Sequence, residues 1–445
     1  MTFTRFRTAA AAMALTGALA ATATPMLAQA QAQEQFVPLL VYRTGSFAPL
    51  GIPWADGKLD YIKLINERDG GINGVKITYE ECETAYSTDR GVECYERLKS
   101  KGPTGASSFD PQSTGITFAV TDKAPNDKVT IQTTGYGRSE SADGSVFEWN
   151  FPILGTYWTA ADIMLQDIAK KEGGWDKLKG KKIALVYHDS PYGKEPIPLL
   201  TARAKMHGFE LSLLPVVAPG VEQKSTWLQI RQQRPAYVLL WSAGIMTPTA
   251  IREAQATGFP REKMYAIWWA GSEADVKDLG AAAKGYNAIT VQNAAGKSRI
   301  HDDLLKNVYD KNNGSAKREE VGTVAHTRGM LISMITVEAI RTAQEKYGKG
   351  KTMTREQVRW GYENLNITQE RIDQLGFNGL LRPIKTSCKD HMGASWAHII
   401  TWDGGKFTNS SDWYQGDASV IDPLVKEAAA KYASEKNITP RKCEG

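Results

Sequence analysis

The residue types that most often carry catalytic chemistry are present in this chain, but they do not fall into catalytic patterns. Neither a His-Glu-x-x-His motif nor a Gly-x-Ser-x-Gly motif occurs, so the usual marks of a metalloprotease and of an α/β-hydrolase are missing. The six histidines show no metal-ligand spacing; they are His188, His207, His301, His326, His391 and His398. We therefore expect a protein that is not an enzyme and holds neither a metal nor a cofactor.

Two segments resemble nucleotide-binding loops without completing the motif. Ala295-Gly296-Lys297-Ser298 looks like the end of a phosphate-binding loop, but Val291 stands where the first glycine is required. The segment from Gly135 to Glu140 begins Gly-x-Gly and lacks the third glycine of a dinucleotide-binding fingerprint. Neither segment supports a nucleotide site.

The first 32 residues have the three-part pattern of a secretory signal peptide. Arg5 and Arg7 form a positive start, residues 8–23 carry no charge, and Ala28-Gln29-Ala30 and Ala30-Gln31-Ala32 are small-x-small cleavage sites. The alternative is a membrane anchor, for which the apolar stretch is short. We expect cleavage near residues 30–32 and export to the periplasm.

Cysteine number agrees with an exported protein. The four cysteines are Cys82, Cys94, Cys388 and Cys443, and an even count in an oxidising compartment favours two disulfides. Three pairings are possible. We favour Cys82–Cys94, which closes a short strand-to-helix connection, and Cys388–Cys443, which ties down the C-terminal tail.

Composition excludes several partners. The net charge of +5 falls to about +3 when Arg5 and Arg7 are removed, which favours neither nucleic acid nor an anionic membrane as a partner. Hydrophobic residues make up 42% of the chain and charged residues 23%, as in ordinary globular proteins. Roughly 415 residues remain after cleavage, too many for one core, so two lobes are expected.

Hydrophobic periodicity predicts alternating strands and helices. Predicted strands cover residues 36–42, 75–79, 106–109, 129–133, 182–187, 211–217, 237–241 and 264–268. Predicted helices include one that contains Leu59, Ile62 and Ile65 and stops at Gly70-Gly71, and others over residues 90–98, 197–207, 225–233 and 249–257. This alternation predicts an α/β fold with two doubly wound parallel-sheet lobes, joined by a hinge near Asn150.

Ligands of doubly wound folds bind beyond the carboxyl ends of the strands. The loops at those ends are therefore the candidate binding loops; they cover residues 43–54, 111–115, 134–138, 188–193, 242–246 and 269–274. Ser46, Phe47 and Trp54 in the first of them border the mouth of the expected cleft, where aromatic side chains could line an apolar pocket.

Several motifs together resemble one protein family. The segment Gly70-Gly71-Ile72-Asn73-Gly74 after the first helix closely resembles a signature of type I periplasmic solute-binding proteins of ABC importers, with the branched-chain amino acid (Leu/Ile/Val-binding) group as the best match. Further matches follow in the family's order at residues 84–98, 187–193, 255–258 and 376–379. The resemblance covers about residues 36–410.

The resemblance implies a hinged, Venus-flytrap architecture. We expect residues 33–150 plus about 294–375 to form the first lobe, and residues 151–293 plus about 376–445 to form the second. Such a protein traps a small solute between its lobes and presents the closed form to a permease in the inner membrane, without chemistry. A monomer is expected, because both lobes must move freely.

The resemblance also implies ligand contacts. In the first lobe, Ser113 and Thr114 at a helix start suit a carboxylate or carbonyl oxygen, and Thr134 and Gly135 match the next contact. In the second lobe, Tyr192 matches the tyrosine that closes over the ligand, and Glu273 lies near the acid that meets an α-ammonium. Ser46, Gly244 and Trp269 complete the candidate set. Each has a structural alternative: the hydroxyls could only cap a helix, Tyr192 could only pack, and Glu273 could be a solvated helix start.

The solute stays open at this stage. Residues 241–246 lack the tyrosine that amino acid binders of the family often carry, and Trp268-Trp269 hint at a bulkier or aromatic solute. Amino acids, amides, short carboxylic acids and aromatic acids are all compatible. The alternative function is a sensory binding protein of the same fold that presents its ligand to a membrane receptor; an exported hydrolase is the third class.

Overall fold

Strands and helices alternate through the described part of the chain and build one eight-stranded sheet and three smaller ones. The computed structural model describes residues 33–294 and 298–443. The predicted signal peptide, residues 1–32, and most of the segment that resembles a phosphate-binding loop, residues 295–297, lie outside the described residues.

The strands are β1 (Glu34–Val41), β2 (Lys76–Glu83), β3 (Ser108–Phe109), β4 (Thr130–Thr133), β5 (Asn150–Pro152), β6 (Lys182–His188), β7 (Glu210–Val216), β8 (Tyr237–Trp241), β9 (Met264–Ala266), β10 (Asn287–Thr290), β11 (Asn366–Ile367), β12 (Ile384–Lys385), β13 (Trp396–Trp402), β14 (Phe407–Asn409) and β15 (Tyr414–Gln415). The α-helices are α1 (Ala48–Asp69), α2 (Thr88–Leu98), α3 (Thr114–Thr121), α4 (Ala124–Asp127), α5 (Tyr157–Glu172), α6 (Pro191–Lys194), α7 (Ile197–His207), α8 (Lys224–Gln233), α9 (Met246–Ala256), α10 (Glu273–Val276), α11 (Arg299–Leu304), α12 (Val324–Tyr347), α13 (Arg355–Glu363), α14 (Gln369–Leu375) and α15 (Ala418–Lys436).

The first lobe is built on strands β1 to β5. β1 pairs with β2, and β3, β4 and β5 are neighbours, all in parallel register. The Ser107 amide donates to the Phe36 carbonyl at 3.0 Å, which places β3 beside β1. We call this sheet with its covering helices the first lobe.

The second lobe is built on a larger sheet in the order β14-β13-β10-β9-β8-β6-β7. The strands from β6 to β10 are parallel, and β13 returns antiparallel to β10 at one side. The predicted fold class, two doubly wound lobes with parallel sheets, is confirmed, with an antiparallel addition that the sequence did not predict.

Helix boundaries follow the sequence closely in most places. The predicted helix over residues 197–207 and the predicted strand over residues 237–241 have the predicted limits. The loop predicted over residues 43–54 is wrong, because α1 already begins at Ala48. Pro49 lies in the first turn, where its missing N–H leaves no bond unmade, and the amides of Leu50 and Gly51 donate to the Phe47 carbonyl at 3.1 Å.

The Gly-Gly pair in the family signature has a steric reason. Gly71 has φ +97°, and a Cβ at this position would lie 2.2 Å from the Val75 carbonyl oxygen. The chain turns back here through an Ile72–Val75 bridge and enters β2. Only glycine allows both the backbone conformation and the close approach.

Both favoured disulfides are confirmed. Cys82 on β2 is bonded to Cys94 on α2, and Cys388 is bonded to Cys443 in the C-terminal tail. The second bond links residues 55 positions apart in the sequence and therefore fixes a long loop.

In the described part of the chain, no helix has the length and apolar character that a membrane span requires.

Two glycines let α1 and α12 cross in close contact. A Cβ on Gly57 would lie 1.9 Å from the His326 carbonyl oxygen, and one on Gly329 would lie 2.1 Å from the Trp54 carbonyl oxygen. Trp54 lies on α1, so this helix contact also fixes the position of Trp54.

Replacing Gly57 by alanine is expected to lower the free energy of unfolding by about 2 kcal/mol or more, although alanine favours a helix. The added methyl group meets backbone, which cannot rotate away. Urea denaturation measures the loss. Gly405→Ala is the control, because a Cβ there has only an ordinary contact at 3.7 Å; equal stability of the two variants would contradict the prediction.

Candidate functional site

One cavity collects residues from all six predicted binding loops. Its lining atoms leave about 310 Å³ of empty space, which includes solvent at its opening. The lining residues are Tyr42, Phe47, Leu50, Trp54, Tyr86, Gln112, Ser113, Thr114, Tyr136, Tyr157, Tyr192, Ala243 and Trp269. Larger hollows, up to about 1310 Å³, have charged residues such as Lys389, Asp390 and Asp422 in their walls. The convergence of the strand-end loops, rather than volume, marks the smaller cavity as the candidate site.

Aromatic rings from both lobes form the walls. Trp54 of the first lobe stacks on Trp269 of the second, with ring centroids 4.6 Å apart and planes 22° apart. The Tyr136 ring meets the edges of both indoles at about 6 Å. Tyr42 and Tyr86 continue the wall with centroids 5.3 Å apart. Contacts of this kind stabilise the packing of the two lobes and form flat apolar surfaces.

The polar end of the cavity lies at the start of α3. Ser113 caps this helix, and its hydroxyl accepts from the Ile116 amide at 3.4 Å. Gln112, which precedes it, has φ +56° and is 2% exposed. Both ends of the Gln112 amide, the Thr114 hydroxyl and the Trp54 indole nitrogen are buried without a hydrogen-bond partner. Buried polar groups are normally paired, so four unpaired atoms around one cavity indicate where a polar ligand group would bind.

A buried ion pair supports this end from behind. The Lys58 ammonium lies 2.7 Å from Asp110 Oδ2, and both side chains are almost fully buried. The Tyr136 hydroxyl donates to the other Asp110 oxygen and accepts from the Gln112 backbone amide at 2.8 Å. The Asp110 charge is therefore balanced within the protein and is not presented to a ligand.

Burial raises the pKa of Tyr42, Tyr136, Tyr157 and Tyr192 well above that of a free tyrosine, so their hydroxyls stay protonated. Thr114 and Trp269 lie close enough to Tyr157 to oppose the shift without reversing it, although the Thr114 hydroxyl makes no hydrogen bond of normal geometry. The Tyr192 hydroxyl donates to the Ser242 carbonyl at 2.8 Å. No charged side chain occurs among the described residues that line the cavity.

A positive charge lies behind the Trp269 wall of the cavity. Arg328, which is fully buried on α12, has its guanidinium 5.2 Å from the centroid of the Trp269 ring and donates to the Trp268 carbonyl. Burial lowers the pKa of Arg328 to about 10, against the opposing influence of Glu273 and Asp275. Arg328 therefore stays charged near neutral pH and ties a first-lobe helix to a second-lobe loop.

Residues 34–406 match the periplasmic binding protein family. The chain belongs to the periplasmic binding protein family. Among curated proteins, none matches this binding protein.

Solved structures agree with that assignment. A protein described as an ABC transporter permease from the Pseudomonas fluorescens group is 41% identical, covers 93% of this chain and 100% of its own, and superimposes with a TM-score of 0.86. A branched chain amino acid ABC transporter from Thermus thermophilus with bound valine is 21% identical, with coverage of 88% and 99% and a TM-score of 0.72. A solute binding protein of an ABC transporter from R. palustris, in complex with benzoate, is 15% identical, with coverage of 84% and 95% and a TM-score of 0.63. The last two show the shared fold alone.

In this binding protein, four of the predicted contact residues line the cavity: Ser113, Thr114, Tyr192 and Trp269. Gly135 lies just outside and accepts a hydrogen bond from the Trp268 indole at 2.8 Å, which joins the two lobes. Its φ is +74°, and a Cβ would come within 2.7 Å of the Trp268 ring. Gly135 therefore positions the wall instead of lining the cavity.

The other predicted residues lie elsewhere. The Ser46 carbonyl accepts from the Ile245 amide at 3.2 Å, and Gly244 packs against Ser46 and Phe47, so this pair closes the mouth. Thr134 is buried beside Gln132. The Glu273 carboxylate accepts from the Val324 amide at 2.9 Å and borders a separate hollow with Pro49 and Lys277. The structure thus places Glu273 away from the aromatic cavity, in a position to cap α12.

Tyr86, Gln112, Tyr136 and Tyr157 are among the lining residues that the sequence did not single out as contacts. Gln112 and Tyr136 lie inside predicted binding loops, so their polarity next to a predicted helix start was the available signal. Tyr86 follows β2 at φ +61°, and Tyr157 opens α5, outside the chosen loops.

In the described residues, no group of three or more His, Cys, Asp and Glu side chains could hold a metal ion.

Asp275 gives this protein a pH-dependent stability. Burial raises the pKa of Asp275 to about 7, although Ser272 donates to it through both its amide and its hydroxyl. The folded protein therefore holds a proton on Asp275 between about pH 4 and 7, where the unfolded chain has lost it. Stability from this group is present at low pH and is lost as the pH rises through about 7.

Asp275→Asn imitates the protonated carboxyl at every pH. We expect its melting temperature to exceed that of the natural protein by roughly 2 to 4 °C more at pH 8 than at pH 5. Thermal melts in one buffer series measure this difference. Exposed Asp278→Asn is the control and should shift equally at both pH values; a flat difference for Asp275→Asn would contradict the prediction.

Proposed function

We propose that this protein is the exported solute-binding component of an ABC import system, works in the periplasm, and captures a small carboxylic acid with an aromatic or other flat apolar body. The observation that supports this most is the aromatic cavity between the lobes, with unpaired polar atoms at one end and no charged lining residue. The closed form would be the one that a permease recognises.

The polar end suits an oxygen acceptor. The backbone amides of the first turn of α3, the Gln112 amide group and the Thr114 hydroxyl all lie at the same side of the cavity. The positive end of the helix and the nearby Arg328 favour an anionic group over a cation. A carboxylate at this end would accept hydrogen bonds from Gln112 Nε2 and the Thr114 hydroxyl, which are otherwise unpaired.

The absence of an acid from the described lining residues argues against an amino acid. An α-ammonium group would be buried among aromatic rings, where an unpaired charge costs several kcal/mol. Glu273 is engaged with α12 and lies at a different hollow. Acids without an amine therefore fit the cavity better than the branched-chain amino acids that the sequence resemblance suggested.

A thermal-shift and calorimetric panel tests the proposal on the mature chain, residues 33–445. The panel contains benzoate, 3-phenylpropanoate, butyrate, benzamide, phenylalanine and valine. We expect benzoate or 3-phenylpropanoate to raise the melting temperature, since ligand at a hundred times its dissociation constant adds about 2.7 kcal/mol. Stronger binding of phenylalanine than of 3-phenylpropanoate would mean that the ammonium has a partner. Co-purification with a permease, as opposed to a signalling receptor, separates import from the sensory alternative.

A further inference from the structure

The C-terminal helix contacts both lobes. α15 (Ala418–Lys436) follows the last strands of the second sheet, and residues 437–443 continue from it to the second disulfide. This region lies beyond residues 34–406, which match the family. We call residues 417–443 the strap.

The start of the strap is bound to the second lobe. The Asp417 amide donates to Asp162 Oδ2 at 2.8 Å, and Asp417 Oδ2 lies 2.9 Å from the Arg203 guanidinium. Asp162 belongs to α5 and Arg203 to α7, and both are buried. Val420 and Ile421 on the next turn join the main hydrophobic core.

The end of α15 is bound to the first lobe. The Tyr432 ring stacks on Phe147 with centroids 4.6 Å apart, and its hydroxyl donates to Asp122. Arg138 covers Tyr432 with its guanidinium 4.8 Å from the ring centroid, and Lys436 pairs with Asp122. These apolar contacts form a small core of their own, separate from the main one; it contains Val146, Phe147, Ala429, Tyr432 and Ala433.

The last residues add a third attachment. Arg441 donates from its backbone amide to the Ser145 carbonyl and from its side chain to the Gly144 carbonyl, both at 2.9 Å, and pairs with Glu363 of α13. Cys443 is then bonded to Cys388, in the segment that leads from β12 back to the second sheet. Both ends of the strap are therefore fixed.

A rigid helix attached at both ends restricts rotation between the lobes. The 19 residues of α15 span about 28 Å, and a helix of this length does not stretch. Opening of the cleft must either break the contacts around Tyr432 or be small enough to preserve them. We propose that the strap limits how far the cleft opens and keeps the ligand-free protein close to its closed arrangement.

The experiment measures opening without a solute, so it does not depend on the proposed function. Small-angle scattering of the ligand-free mature chain gives the radius of gyration, and hydrogen exchange gives the protection of the amides at residues 428–438. The variant Asp122→Asn with Tyr432→Phe removes the polar contacts; Asp122→Ala with Tyr432→Ala also removes the ring stack. Glu427→Gln, on the exposed side of the same helix, is the control.

We expect exchange at residues 428–438 to become about tenfold faster or more in the double alanine variant, and the radius of gyration to exceed that of the control. The Asn/Phe variant should show a smaller change in the same direction. Exchange over residues 197–207, in the second lobe, reports whether the fold is intact. If that segment stays protected and the radius of gyration of the double alanine variant equals that of the control, the proposal is wrong.

Discussion

Replacing Gln112 by methionine is expected to weaken binding of the tightest solute in the panel by about 10- to 100-fold while leaving the free protein as stable as before. The side-chain amide of Gln112 is buried without partners, so its removal breaks no existing hydrogen bond. A ligand oxygen that it would satisfy then loses a buried donor, which costs about 1 to 3 kcal/mol. Isothermal titration and thermal melts of the same samples measure both quantities.

Gln132 provides a matched control for this prediction. It is also fully buried, but its amide group donates to the Ile332 carbonyl at 3.1 Å and accepts from the Thr336 hydroxyl at 2.7 Å. Gln132→Met should therefore destabilise the protein by about 1 to 3 kcal/mol because it leaves those partners unpaired. If Gln112→Met destabilises equally and binds normally, Gln112 is a structural residue.

Replacing Lys58 by methionine is expected to lower the free energy of unfolding by about 3 to 5 kcal/mol. The substitution leaves the Asp110 carboxylate buried without its cation, 6% exposed and still facing Tyr136. Urea denaturation is the direct measurement. Solute binding should weaken as well. Asp110 fixes the position of the Tyr136 hydroxyl, and that hydroxyl in turn accepts from the Gln112 backbone amide.

Lys58→Met combined with Asp110→Asn should recover much of that loss, because a neutral amide is far less costly to bury than a carboxylate. Lys311→Met is the control: its partner Glu67 is at 3.0 Å, but both side chains are well exposed, and such pairs contribute less than about 1 kcal/mol. Equal losses for Lys58→Met and Lys311→Met would show that Asp110 is hydrated and that the pair is not a support for the site.

The fold was predictable because it depends on local patterns. Apolar runs of strand length alternate with helical periodicity, and this order alone predicts parallel sheets with ligand loops at the strand ends. All six predicted loops supply a residue to the cavity. The start of α1 was missed because Pro49 and Gly51 resemble loop residues, although a first helical turn tolerates proline.

The candidate site was only partly predictable. Ser113 and Thr114 could be predicted from a helix start, but the role of Glu273 could not, since a carboxylate at a helix start in sequence does not reveal which way it points. The structure directs it to the Val324 amide of another helix. Tyr86 and Tyr157 reach the cavity from outside the chosen loops, and only the packing of the lobes brings them there.

By itself the sequence determined the alternation of elements, the position of the strand-end loops and, from cysteine count and spacing, the favoured disulfides. Each of these depends on residues close together in the chain or on a small number of possible pairings. Tertiary structure decided which side chains stay unpaired, which charges are balanced and what the C-terminal helix attaches to. Those properties depend on contacts such as Trp54–Trp269 and Tyr432–Phe147, between residues more than two hundred positions apart, and burial and hydrogen bonding exist only after such contacts form.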